Sequence, residues 1–159
     1  MKMHLRVIAT MAALAVLMVV NQSALAQNKL EGVWKYTEFV SPDGKTTPAQ
    51  PGGLLIFTKT HWSMVLVSGD KPQPALPQNA TDAQKVATWT PFNASTGTYE
   101  VKGNTYSAKT ILSKSPGTPP DFFITIEFKV EGNTLITTPK VTSTGQPVNM
   151  GYSKLVRVE

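Results

Sequence analysis

Few residues in this chain have the types and spacing that chemistry requires. There is no Cys, which excludes a cysteine nucleophile, structural disulfides, zinc–thiolate sites and iron–sulfur clusters. The two histidines, His4 and His61, fall short of a metal site, which normally gathers two or three His and carboxylates in one place. His61 stands beside Lys59 and Trp62 where the pattern predicts a hairpin, most simply as a solvent-exposed turn residue. As a general base it would need an orienting carboxylate and a substrate-facing partner. Glu38 is the stronger candidate. It shares strand parity with Trp34 and Tyr36, so strict alternation points it inward; a wet strand end or a bulge would turn it out. The ten acidic residues show no paired arrangement, and the chain has neither a Gly-x-Ser-x-Gly elbow nor a Gly-rich phosphate loop. No catalytic residue, metal ligand or cofactor site is assigned.

The elements that would position such residues begin after a leader. Lys2 and Arg6 form a basic flank, residues 7–20 an apolar run, Asn21-Gln22-Ser23 a polar break, and Ala24-Leu25-Ala26 a small-x-small cleavage site. The expectation is a signal peptide over 1–26, cleavage after Ala26, and a periplasmic or secreted product at 27–159 without a transmembrane segment. No Cys stands at the cleavage point for lipid attachment. The chain has 15 Lys and Arg against 10 Asp and Glu, two of the basic residues being in the leader. The remaining Lys are scattered singly, whereas a nucleic-acid partner would require a clustered basic face. The length beyond the leader fits one domain.

Periodicity divides 27–159 into short extended segments rich in Gly and Pro punctuation. Strands are expected at 32–40, 54–58, 61–68, 96–101, 105–113, 122–131, 134–138 and 150–158, most of them joined to their sequence neighbours by tight turns. Thr81-Asp82-Ala83-Gln84 is a capping box that starts one short helix through Val86 and Trp89, faltering at Pro91. Eight meandering strands and one short helix predict an all-β fold, an antiparallel barrel closed on itself. Closure also removes exposed sheet edges.

By parity, Trp34, Tyr36, Ile56, Trp62, Met64, Leu66, Tyr99, Val101, Tyr106, Ala108, Ile126 and Phe128 share the interior. An eight-stranded barrel is wide enough for packed side chains or for one small ligand, so a packed core and a cavity both stand as readings. The excursion from 69 to 95 is longer than a hairpin needs. Val86 and Trp89 lie on one face of its helix, which would make them a lid over the open end of the barrel.

Gly32-Val33-Trp34 at the head of the first strand resembles the Gly-x-Trp motif of lipocalins and calycins, with Arg157 in the last strand placed to pack over that Trp. The stretches 30–35, 51–58, 81–86, 95–105 and 135–139 are similar, in order, to small bacterial lipocalin-like domain proteins. The helix followed by Gly97-Thr98-Tyr99-Glu100-Val101 is the most specific part of the match. A His pair common in that family is replaced by Ala108 and Lys109, and the Trp usual near the closing Arg is absent. The resemblance implies a barrel with a cavity more than it implies an activity.

The function expected is therefore an exported binding protein that holds a small apolar or amphipathic molecule. The candidate residues are Trp34, Tyr36, Glu38, Ile56, Trp62, Met64, Leu66, Trp89, Tyr99, Tyr106, Ile126 and Phe128, with Trp34 and Arg157 as a closed-end pair. Two alternatives remain: a calycin-type isomerase, cyclase or hydrolase using Glu38 or His61, and an envelope interaction domain using the loop at 69–79.

Overall fold

The structure, a computed structural model, describes residues 26–159 apart from Asn28, Asp70, Pro74, Pro116 and Pro120. The expected leader lies, up to residue 25, outside the described residues. Eight strands close an antiparallel barrel: β1 (Gly32–Val40), β3 (Leu54–Phe57), β4 (His61–Val67), β5 (Phe92–Lys102), β6 (Thr105–Ser113), β7 (Phe123–Glu131), β8 (Thr134–Thr142) and β9 (Tyr152–Arg157). Each pairs with its neighbour in that order, and β9 pairs back to β1. A ninth short strand, β2 (Thr46–Pro48), folds back on the end of β1 as a hairpin. Helix α1 (Asp82–Trp89) connects β4 to β5. It carries the expected reciprocal cap, with the Thr81 hydroxyl accepting from the Gln84 amide and the Gln84 side chain accepting from the Thr81 amide.

Three bulges decide which residues face inward. In β1 the register to β9 shifts between Tyr36 and Glu38, so Thr37 is the extra residue and parity inverts after it. In β6, Thr96 and Gly97 of β5 face Leu112 and Thr110, leaving Ile111 over. In β8, Thr125 and Ile126 face Val141 and Pro139, leaving Lys140 over. The last shift explains how β8 continues past Pro139, beyond the expected end at 138: a proline without an amide proton is tolerated where the ladder is already interrupted. Strand β5 begins at Phe92 rather than 96, because Phe92–Ser95 pair with β4.

The two ends of the barrel are built differently. At one end Leu30, Trp34, Leu135 and Leu155 are fully buried, and Phe57, Tyr99 and Tyr106 meet edge-on, with Phe128 tilted against Tyr106, ring centres 5.0–6.2 Å apart. A helical turn ending at Leu30 closes this end, and Trp34 donates its indole N–H to the Leu30 carbonyl at 2.7 Å. Arg157 lies opposite Trp34 on β9, its guanidinium 4.1 Å from the Trp34 ring centre. It donates to the carbonyls of Glu31 and Lys29 at 2.6 Å each. Gly32 is required here. Its φ is +128°, and a Cβ would fall 2.4 Å from the Glu159 carbonyl oxygen and 2.6 Å from Arg157 Nη1. The Gly-x-Trp pattern thus has a local cause: Gly admits the arginine that covers the Trp.

Candidate functional site

The other half of the barrel is hollow. A cavity of about 350 Å³ opens at the end where β1, β4, β6 and β8 finish, at the low end of the roughly 300–1,000 Å³ usual for ligand sites. Its walls are Leu55 of β3, Trp62, Met64 and Leu66 of β4, Ala108 of β6, and Ile124 and Ile126 of β7. Phe39 lies on the side of β1, and exposed Met150 with Gly151 marks the mouth. Hydroxyls of Tyr36, Tyr106, Thr110 and Thr137 interrupt the apolar lining, as does Asn93. The interior is therefore packed in one half and open in the other, and Tyr106 belongs to both.

Among the residues singled out from the sequence, Tyr36, Trp62, Met64, Leu66, Tyr106, Ala108 and Ile126 meet around this cavity. Trp34, Tyr99 and Phe128 face inward in the packed half and do not line it. Ile56 does not face inward. Leu55 is the residue opposite Trp34, and Ile56 sits opposite Val33; residues directly opposite share a face, so Leu55 and Phe57 fill the barrel and Ile56 is on its outer side. Glu38 is turned out by the Thr37 bulge and accepts from Lys154 at 3.0 Å, both side chains more than a third exposed. The lid also needs correction. Val86 and Trp89 are 62% and 58% exposed, and no residue of α1 is buried. Trp89 packs on Phe92, ring centres 5.7 Å apart, with the Lys114 amine 5.5 Å from its own ring. It does not line the cavity. Residues missed from the sequence include Phe39 and Leu55, placed by the bulge and by the register, together with Asn93, Thr110, Ile124, Thr137, Pro139 and Met150. The polar Thr137 and the strand-breaking Pro139 carried no signal for an inner wall.

The electrostatics are those of a neutral pocket. None of the described lining residues is charged. His61 is exposed at the β3–β4 turn, its Nδ1 2.8 Å from the Thr60 hydroxyl, away from the cavity. Burial raises the phenol of Tyr36 well above its ordinary value and that of Tyr99 to about 12. Tyr106 is raised too, first by burial and then by the neighbouring Tyr36 and Tyr99. All three are neutral hydroxyls at ordinary pH. The Trp62 indole N–H is satisfied by the carbonyls of Thr98 and Lys109 at 3.1 and 3.4 Å. It sits opposite Gly97, where a Cβ would strike the Lys109 carbonyl at 1.8 Å. Among the described residues no group of three His, Asp or Glu could hold a metal ion, and no helix is long and apolar enough to cross a membrane.

No family model and no curated protein matches this chain. Among solved structures, a lipocalin-like protein from Bacteroides uniformis superimposes with a TM-score of 0.50 at 14% identity, over 81% of this chain and 98% of that one. With the closed eight-stranded antiparallel barrel, this likeness establishes a lipocalin-like, calycin fold for the chain.

Proposed function

We propose that the protein is an exported carrier that holds one small apolar or amphipathic molecule in the open half of the barrel. The observation that carries this reading is the cavity of about 350 Å³, walled by Leu55, Trp62, Met64, Leu66 and Ile126 and open to solvent beside Met150. Apolar walls with a few hydroxyls suffice for a carrier. An enzyme acting by proton transfer would need a titratable group poised within reach of its substrate; Glu38 and His61 both stand away from the cavity, and the phenols that line it, Tyr36 and Tyr106, are held protonated by burial. Export is supported by the basic flank, apolar run and Ala24-Leu25-Ala26 site. Cleavage after Ala26 would remove one helical residue that packs against the core and retain Leu30, whose carbonyl accepts from the Trp34 indole. Intact-mass measurement of the exported protein tests this part: a chain beginning at Gln27 is expected, and full-length protein retained in the cytoplasm contradicts it.

Fluorescence tests binding. Titration with an environment-sensitive naphthylamine dye should give saturable binding of one molecule per chain, with energy transfer from Trp62. Trp62→Phe should lower that transfer more than Trp89→Phe does, Trp34 inside the barrel supplying a remainder in both. Absence of saturable binding refutes the carrier reading.

A further inference from the structure

Tyr36 and Tyr106 are 7% and 3% exposed, and both line the cavity. A tyrosine buried to this degree ordinarily gives its O–H to an acceptor, as Tyr99 does to the Thr58 carbonyl at 2.7 Å. Among the described residues, neither Tyr36 nor Tyr106 has a hydrogen-bond partner for its hydroxyl. Neither hydroxyl is sealed off: among the described residues the one enclosed side-chain oxygen without a partner is Thr88 Oγ1, so the Tyr36 and Tyr106 hydroxyls are open to the cavity that both residues line. They come from β1 and β6, on different parts of the barrel wall, and line the same cavity. Thr137 of β8, the one buried polar residue among those described, lines the same cavity. A largely apolar cavity, with Asn93 and Thr110 as further polar residues of its lining, thus presents the Tyr36 and Tyr106 hydroxyls as donors to whatever fills it.

The sign of the charge that would match is also fixed. Lys154 is engaged with Glu38 outside the barrel, and Arg157 is at the closed end on Trp34. None of the described lining residues is Lys, Arg or His. A carboxylate drawn inward would lose its hydration with no counter-charge in return, a far larger penalty than hydroxyl donors offset. We infer, resting on the carrier reading above, that the bound molecule is uncharged and enters carbonyl first, a ketone or ester oxygen accepting from the Tyr36 and Tyr106 hydroxyls while its apolar chain points to the mouth at Met150.

Three molecules of matched length separate the possibilities: methyl octyl ketone, decanoate and decane, each titrated into the purified protein at neutral pH and followed by displacement of the naphthylamine dye. The ketone should bind at least about tenfold more tightly than decanoate. Tyr36→Phe and Tyr106→Phe should each weaken the ketone by about three- to tenfold and bind decane at least as tightly as before, the wall having become more apolar. Phe keeps the ring, so retained decane binding in both variants also reports an intact barrel. Decanoate binding as tightly as the ketone, or ketone affinity unaltered by both substitutions, overturns the assignment of a neutral carbonyl while the carrier reading stands. Failure of the dye and all three molecules to bind the unsubstituted protein overturns both.

Discussion

Enlarging Ala108 distinguishes a hollow barrel from a filled one by the sign of a stability change. Ala108 is buried, lies opposite Tyr99 and Ile124, and lines the cavity. Ala108→Leu adds three carbons. If they enter vacant apolar space, burial contributes about 0.8 kcal/mol each, or about 2.4 kcal/mol. Loss of side-chain freedom removes about 0.5–1 kcal/mol of that. The variant should be more stable by about 1.5 kcal/mol. Were the open half as dense as the closed half, the same carbons would force neighbours off their rotamers at a cost of about 1–3 kcal/mol. Leu155→Phe provides the contrast: Leu155 is fully buried at the packed end, so its enlargement should destabilise by about 1–3 kcal/mol. Urea unfolding measures both changes, as shifts in midpoint at unchanged slope. Because the added leucine occupies ligand space, dye affinity should also fall by about tenfold in Ala108→Leu. Destabilisation of Ala108→Leu by more than about 1 kcal/mol, or added stability with dye affinity retained, refutes the reasoning.

At the closed end, Trp34→Ala should cost about 4 kcal/mol or more, from the void left behind, the orphaned Leu30 carbonyl and the lost Arg157 contact; urea unfolding showing a loss under about 1 kcal/mol contradicts that packing. In alkali, Tyr36, Tyr99 and Tyr106 hold their protons above the ordinary value of 10.0. The unfolded chain therefore sheds them first, and stability should be whole below about pH 10 and decline as pH rises toward 12 and beyond. Phenolate absorbance and circular dichroism followed together check this; all three titrating near 10 in a still-folded barrel would contradict it. Glu38→Gln removes only a half-exposed outer ion pair with Lys154, so dye affinity should be unchanged and stability altered by less than about 1 kcal/mol. A large loss of binding would place Glu38 inside.

The parts of the site legible in the sequence are those on strands that alternate without interruption. Trp62, Met64 and Leu66 on β4, Tyr106 and Ala108 on β6, and Ile126 on β7 each precede or avoid a bulge, and simple parity aims them inward. Ile56 was illegible because Leu54 to Phe57 is apolar throughout, so no alternation marks which half of the strand faces the core; the register to Trp34 decides it. Glu38 follows a bulge at Thr37, whose hydroxyl donates to the Lys154 carbonyl at 3.0 Å, and a threonine in a strand announces nothing of the kind. Pro139 reads as a strand end, yet β8 passes it because the ladder has already slipped at Lys140. For α1, the capping box gives the start of the helix but not its burial: Val86 and Trp89 share a face that the barrel leaves in solvent. Local spacing determines an element and its faces; what covers a face depends on closure, which is non-local.

Methyl NMR on the purified protein, titrated with methyl octyl ketone, tests most directly whether the open half of the barrel is a binding site. Saturable shifts should appear at Leu55, Met64, Leu66, Ala108, Ile124 and Ile126, which wall the cavity, while Leu30, Leu135 and Leu155 in the packed half stay where they are. Shifts confined to the exposed Ile111 and Leu112, or no saturable shift at any cavity methyl, would contradict the account.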